Sequence, residues 1–388
     1  MTLYLDHAAI SPVRRGVLDA MAPFLTTRFG NPSSTHAVGD AAARALEEAR
    51  RGVARHLGMR PNDVIFTSGG TESNNLAIKG IAVAAALDRG ARHVVTTAIE
   101  HSSILEPMRQ LRRVHGFEVT VLPVDRHGVV DPAAVGRALR ADTALMALGA
   151  ANNEVGTVQP VTQIRDVCRA ASVPLHVDAV QAAGWLPLSG VAAEGRRSPL
   201  GDAVALSGHK IGAPAGSGVL AVRQRIPLEP LLHGGGQERG RRSGTESVAG
   251  AVALRTALDV AEAERESAAQ RVSDVRDAFV RDVLARVDGA DLTGHPTERL
   301  PHIASFTVAG AGGESVLLDL ERRGVIASSG SACSAASVDP SHVLVALGIG
   351  DDLARTAIRF SLAASTPDLT PVVAALAEAV SAHVGAGR

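Results

Sequence analysis

Only two of the 388 residues are cysteine, Cys168 and Cys333. A disulfide framework is therefore excluded, and so is a four-cysteine zinc or iron–sulfur site within one chain. Aromatic residues make up 2%: seven Phe, Tyr4 and Trp185. That argues against stacking platforms for single-stranded nucleic acid. Charge of either sign is not in excess, with a formal net charge of −1, so no footprint for nucleic acid or an acidic membrane is visible. No apolar run approaches the ~18 residues of a membrane span. The start, Met1 to His7, has no basic stretch followed by an apolar one. The expectation is a soluble, cytoplasmic protein without a secretory signal.

What is present is material for a large core. The chain is 46% hydrophobic and 20% charged, and its length suits two compact domains. Short β-branched runs alternate with longer stretches of helical period. Strands are predicted at Val64–Thr67, His93–Ala98, Glu118–Val124, Ala144–Ala151, Leu175–Ala179, Ala203–Ser207 and Val219–Val222. Helices are predicted between them at Ala41–Leu57, Glu72–Leu87, Ser102–His115, Pro132–Leu139 and Val161–Ala171. Such alternation means βαβ units and a mostly parallel sheet covered on both faces. After about residue 246 the pattern changes. A long helix over Ser247–Ala285 leads to strands at Ile303–Val308 and Ala357–Leu362 and helices at Glu314–Arg323 and Pro371–Val384. This reads as a smaller α+β domain.

Several constellations carry chemistry. Thr67-Ser68-Gly69-Gly70-Thr71-Glu72-Ser73-Asn74-Asn75 follows a strand and opens a helix. It is an anion cradle or an ordinary helix start capped by Thr71. It is neither a Walker A loop nor a dinucleotide fingerprint. Ser207-Gly208-His209-Lys210 ends a strand. A lysine there can lose its proton and form a Schiff base, or it can simply emerge at the surface. His176-Val177-Asp178-Ala179-Val180-Gln181 places a carboxylate at the end of an apolar strand. The pyridinium nitrogen of pyridoxal phosphate is one partner for it, and a helix cap is the alternative. The Asp178–Lys210 combination on successive strands favours the cofactor.

Cys333 lies among small residues, Ser328 to Ser337, where it is a loop nucleophile or an incidental free cysteine. Cys168, in a helical apolar setting, reads as packing. The glycine-rich run His233–Thr245 suits a phosphate or a partner subunit. Arg359 interrupts an apolar strand, for a carboxylate ligand or for an internal salt bridge.

Together these pieces resemble the cysteine desulfurases of the NifS/IscS family, in the class V aminotransferase group. The resemblance runs nearly end to end. It includes Tyr4–Ala9, Gly30-Asn31-Pro32-Ser33-Ser34, Thr67–Asn75, Glu100-His101, Asn152–Gly156, the Asp178 and Lys210 segments, Arg239–Thr245 and the Cys333 loop. It implies an α/β protein of the pyridoxal-phosphate-dependent fold type I. Residues 16–250 would form a large domain on a mostly parallel seven-stranded sheet. Residues 251–388 would form a small domain carrying the cysteine loop, with residues 1–15 as an arm against it.

The resemblance also implies roles. Lys210 would hold pyridoxal phosphate covalently and move protons. Asp178 would pair with the ring nitrogen and Gln181 with the ring hydroxyl oxygen. Gly70 would contact the cofactor, and Thr71, Ser207 and His209 would bind its phosphate, joined by Thr245 from the neighbouring subunit of a homodimer. His101 would stack on the ring and serve as an acid–base group. Asn153 would contact cofactor or substrate, and Arg359, helped by Asn31, would hold the carboxylate of L-cysteine. Cys333 would take the sulfur as a persulfide, leaving alanine, and pass it to a protein acceptor. No metal is expected, nor direct binding to nucleic acid or membrane.

Two segments depart from the family pattern. His7-Ala8-Ala9-Ile10-Ser11-Pro12 lacks the usual threonine pair, so no catalytic role is expected of that arm. Ile211–Gly216 alters the turn after Lys210. The chain ends soon after its last helix, where housekeeping members carry a tail that meets the iron–sulfur scaffold; acceptors in iron–sulfur assembly and in tRNA or cofactor thiolation are equally open. The competing activities are a selenocysteine lyase or another C–S lyase, and, from another class, a non-catalytic sulfur carrier on the same fold.

Overall fold

A computed structural model describes residues 2–191, 197–330 and 339–383. The Cys333 loop and the expected end of the last helix at Val384 lie outside these residues. The chain opens with β1 (Leu3–Tyr4), α1 (Arg15–Leu25) and α2 (Ala37–Leu57). The alternating part follows: β2 (Val64–Thr67), α3 (Gly70–Arg89), β3 (His93–Thr97), α4 (Ser102–His115), β4 (Glu118–Leu122), α5 (Pro132–Ala138), β5 (Thr143–Gly149), α6 (Val161–Ala170) and β6 (Leu175–Asp178). A hairpin of β7 (Ser189–Val191) and β8 (Arg197–Pro199) precedes β9 (Ala203–Ser207) and β10 (Gly218–Val222). Then come α7 (Val248–Arg286), β11 (Ala290–Leu292), β12 (Ile303–Val308), α8 (Gly313–Arg322), β13 (Val325–Ile326), α9 (His342–Ala346), α10 (Asp351–Ala354), β14 (Ile358–Ser361) and α11 (Thr370–His383).

Seven strands form the main sheet in the order β2-β10-β9-β6-β5-β3-β4. All neighbours run parallel except β10, which is antiparallel to β2 and β9. Alternate residues of each strand feed opposite cores, as a sheet buried on both faces requires. Met146 and Leu148 of β5 face one core, with Val53, Leu57, Ile164 and Leu254. Leu145 and Ala147 face the other, with Ile78, Ile81, Ile104 and Met108. Thus α3 and α4 cover one face and α2, α6 and α7 the other.

The α7 helix has 39 residues, or about 58 Å at 1.5 Å per residue. Its first half buries Leu254, Ala257, Leu258 and Ala261 in the main core. Its second half buries Val272, Phe279 and Val283 in another core, built on the three-stranded sheet β11-β12-β14. Phe279, Phe306 and Phe360 meet there edge to face, with centroids 5.0 to 6.4 Å apart. Three of nine aromatic residues are thus spent on the smaller core.

Short pairings tie the N-terminus to that second unit. Leu3 and Tyr4 pair with Val325 and Ile326 of β13, and Asp6 bridges to Ser361. The sequence pattern hid α1, β1 and β13, because elements this short or this proline-flanked carry little periodic signal. It also placed the start of α2 at Ala41. The helix begins at Ala37, where His36 accepts from Gly39 N–H and caps it. Among the described residues no helix is long and apolar enough to cross a membrane.

Candidate active site

Parallel strands β3, β5, β6 and β9 deliver their carboxyl ends to one edge of the sheet, where ligands of such sheets bind. A cavity of about 430 Å³ opens there. Its wall includes Gly70, Thr71, His101, Asn153, Asp178, Gln181, Ser207, His209, Lys210 and Arg359. Ten candidate residues, spread over nearly 290 positions, therefore meet in one place. Asn31 and Thr245 are exposed and are not on this wall. Asn31 Oδ1 instead accepts from Ser33 N–H at 2.9 Å. Cys333 is outside the described residues, but Gly330, three positions earlier, lines the cavity.

One end of the cavity is a turn made for close approach. The α3 helix starts at Gly70, and its N-cap is Gly69 rather than Thr71, so no side chain covers the helix start. A Cβ on Gly70 would stand 2.8 Å from Val180 Cγ2, and one on Gly218 only 2.4 Å from Gly69 Cα. Side chains at either position would fill the cradle or push β10 away from it. Ser207 Oγ and His209 Nδ1 lie 2.9 Å apart beside this helix start. Burial and the charge of Lys210 push His209 down to about 4. A helix N-terminus with a hydroxyl and an imidazole beside it is a site for a phosphate dianion.

In mid-cavity, Asp178 is held in place. Its Oδ1 accepts from Val180 N–H at 2.9 Å and its Oδ2 from Asn74 Nδ2 at 2.7 Å. Asp178 thus caps the turn after β6 and also lines the cavity. His101 caps α4, its Nδ1 accepting from Ser103 N–H at 3.1 Å. Burial lowers its proton affinity more than Asp178 restores it. Glu100 beside it is fully buried, accepts from Thr97 Oγ1 and Gly149 N–H, and is pushed up to about 7, mainly by burial.

The far wall comes from distant segments. Lys210 Nζ donates to the carbonyls of Ala8 and Ala9 at 2.5 and 2.6 Å, and Gln181 Nε2 donates to Ala8 O at 3.0 Å. The arm without the threonine pair is therefore part of the site. It acts through backbone oxygens, which no side-chain motif reveals. Arg359 is 2% exposed. Its Nη2 pairs with Asp6 at 2.6 Å, and its Nη1 donates to the carbonyls of Asn153 and Gly330. The internal salt bridge exists, yet Arg359 Nε lines up with no partner among the described residues, and Arg359 borders the cavity. A buried guanidinium with spare donor capacity suits a carboxylate.

The residues fit pyridoxal phosphate by chemistry. A lysine, a fixed carboxylate, an amide donor and a glycine-lined helix start match its aldehyde, ring nitrogen, hydroxyl and phosphate. Neither Tyr4 nor Trp185 reaches the cavity wall. The Tyr4 hydroxyl donates to Asp6 O, and Trp185 stacks on His302 with centroids 4.4 Å apart. Cys168 is buried, and its thiol is pushed up to about 12 by burial. It is packing and not a nucleophile. No group of three metal-binding side chains occurs among the described residues.

Residues 3–368 match the family model of class-V aminotransferases, and the chain belongs to that family. It is 43% identical over 361 residues to cysteine desulfurase IscS of Dictyoglomus turgidum, covering 93% of this chain and 89% of that one. It is also 43% identical over 363 residues to the IscS-like cysteine desulfurase of Mycobacterium tuberculosis, covering 92% and 91%. A solved NifS-like protein superposes with a TM-score of 0.88 at 34% identity, over 98% of this chain and 100% of that one. SspA, solved in complex with cysteine, gives 0.80 at 34% identity, over 93% and 99%. Within its family the chain is a cysteine desulfurase of the NifS/IscS type, an enzyme on the fold type I architecture.

Proposed function

We propose that the cavity binds pyridoxal phosphate and L-cysteine together, and that Cys333 takes the substrate's sulfur as a persulfide. The observation that carries this is the meeting of Lys210, Asp178 and the glycine-lined start of α3 around one cavity, with Arg359 on its far wall. The complex of SspA with cysteine supports the substrate. Bound there, pyridoxal phosphate supplies the electron sink that weakens bonds at the substrate's α-carbon and, through it, at the β-carbon.

The chain's own groups do the rest. Lys210 anchors the cofactor and, once released, carries protons; the carbonyls of Ala8 and Ala9 hold its amine meanwhile. Asp178 keeps the ring nitrogen protonated, and Gln181 faces the ring hydroxyl. Gly70, Thr71, Ser207 and His209 hold the phosphate, joined by Thr245 from a second copy in a homodimer. His101 stacks on the ring and exchanges protons through Nε2. Asn153 and Arg359, with Asn31, hold the substrate carboxylate.

Sulfur transfer balances simply. The Cys333 thiolate attacks the substrate sulfur, an S–S bond forms, and the pair of the Cβ–S bond leaves on carbon. Protonation of that carbon gives alanine, and the persulfide stays on Cys333. Gly330 at the cavity wall supports this reach, because three residues span about 10 Å at full extension. An acceptor in iron–sulfur assembly or thiolation then takes the sulfur.

The test is incubation with cysteine and a reductant, measuring alanine and sulfide for wild type and Cys333→Ala. Equal amounts from wild type and almost none from the variant support the proposal. Unchanged sulfide from Cys333→Ala sinks the persulfide route and leaves a simple C–S lyase. Product other than alanine, such as a keto acid, points to plain transamination.

A further inference from the structure

A polar network with no assigned function runs behind the cavity. Asn74 sits on the buried stripe of α3 with Ala77, Ile78 and Ile81 and is 1% exposed. A buried amide on an apolar stripe has to be fully hydrogen-bonded, and this one is. Its Nδ2 donates to Asp178 Oδ2 at 2.7 Å and to Ser103 Oγ at 2.8 Å. Its Oδ1 lies 2.9 Å from His176 Nε2. Ser103 Oγ in turn lies 2.8 Å from His101 Nδ1.

Donor and acceptor arithmetic fixes every proton in this chain. A carboxylate only accepts, so the amide nitrogen must face Asp178. The amide oxygen then faces His176, whose Nε2 must carry the proton. His176 is fully buried, and its Nδ1 has no hydrogen-bond partner among the described residues, so the ring is neutral. The second amide proton goes to Ser103 Oγ, which turns the Ser103 hydroxyl proton toward His101 Nδ1. Ser103 N–H donates to the same nitrogen. His101 Nδ1 is thereby an acceptor twice over, and its own proton sits on Nε2.

We infer that Asn74 is a positioning residue that sets two groups at once, the direction of the Asp178 carboxylate and the tautomer of His101, with His176 locking the amide's orientation. The inference deepens the proposed function, because Asp178 and His101 take their roles from that reading. It means that the group facing the ring nitrogen and the group proposed to stack on the ring are not independent.

The experiment is hydrogen exchange at the imidazole C2 position, read for each histidine by mass spectrometry across pH, with and without added pyridoxal phosphate. Wild-type His101 titrates below the ordinary 6.5, and Asp178, Lys210, Glu154 and His342 are the charged or titratable groups that bear on it. Asn74→Leu frees the Ser103 hydroxyl to accept from a protonated His101, so the His101 midpoint rises by about half a pH unit or more. The same variant loses about tenfold in kcat with KM little changed, the scale on which outer-shell partners act. His176→Leu moves both readouts the same way by less. His176→Gln restores the wild-type midpoint, since its amide nitrogen takes the place of His176 Nε2.

A His101 midpoint unmoved in folded Asn74→Leu overturns the inference, whatever happens to activity. If that variant does not fold, Asn74→Ala carries the same test. The exchange arm without cofactor reads the network alone. A failure of cofactor binding in wild type therefore strikes the proposed function and is distinguishable from a failure here.

Discussion

The two walls of the cavity are built on opposite principles. One wall stands on the ends of parallel strands, where Asp178 ends β6, Ser207 ends β9, and His209 and Lys210 follow within three residues. Its groups are fixed by the sheet's hydrogen bonds and by packing on both faces. The other wall is assembled from the N-terminal arm, Gly330, His342 and Arg359, segments far apart in the chain, with β1 of the arm paired to β13. Its side-chain contacts include Asp6 to Arg359, Ala8 O to Gln181, and His342 Nε2 to the carbonyl of Glu100. The groups proposed to hold the cofactor stand on the first wall, and Arg359, proposed for the substrate carboxylate, on the second.

Breaking the rigid wall has the largest effect. Lys210→Ala lowers alanine formation by about a thousandfold or more. A variant with more than a tenth of wild-type turnover would remove Lys210 from the chemistry. Arg359→Lys comes next. It loses the fork geometry and costs about a hundredfold in kcat/KM, seen mostly in KM.

Asp6→Asn probes the second wall itself. It leaves the buried Arg359 charge without its carboxylate and destabilises the protein by about 3 kcal/mol in chemical denaturation. Turnover at saturating cysteine falls far less than in Lys210→Ala. Equal damage from both variants would erase the distinction between the walls. Gly218→Ala is smaller still. Its Cβ would press on the Gly69 backbone, so cofactor affinity weakens several-fold, read by equilibrium titration.

The smallest effect is on pH dependence of stability. Burial holds His176 down to about 4, against 6.5 in the unfolded chain. The unfolded chain therefore binds more protons, and stability falls as pH drops from 6.5 toward 4. Glu100, raised to about 7 by burial, acts oppositely, its contribution being lost as pH rises from 4.5 through 7. His176→Gln should make the acid limb of a Tm-against-pH curve shallower by about one bound proton. An unchanged limb would mean that His176 charges inside the fold.

The rigid wall was legible in the sequence because strand ends are. Apolar runs stop at Asp178 and Ser207, and the next polar residue is placed by the sheet. Lys210 was more legible than its motif suggested, since the chain has only two lysines, Lys79 and Lys210, and Lys79 does not line the cavity. The second wall was hidden. Ala8 and Ala9 contribute carbonyl oxygens, which any residue possesses, and their contact with Lys210 spans two hundred positions. Asn74 was visible as a polar residue on an apolar helical stripe, and His176 as a polar residue inside a buried strand. What could not be read was that each answers the other across a hundred residues.

The most direct measurement is borohydride reduction of the enzyme loaded with pyridoxal phosphate, followed by peptide mass mapping. Reduction fixes the cofactor to whichever amine holds it. A pyridoxyl mass increase is expected on the peptide containing Lys210. An adduct on Lys79 or the N-terminal amine, or none at all, would contradict it.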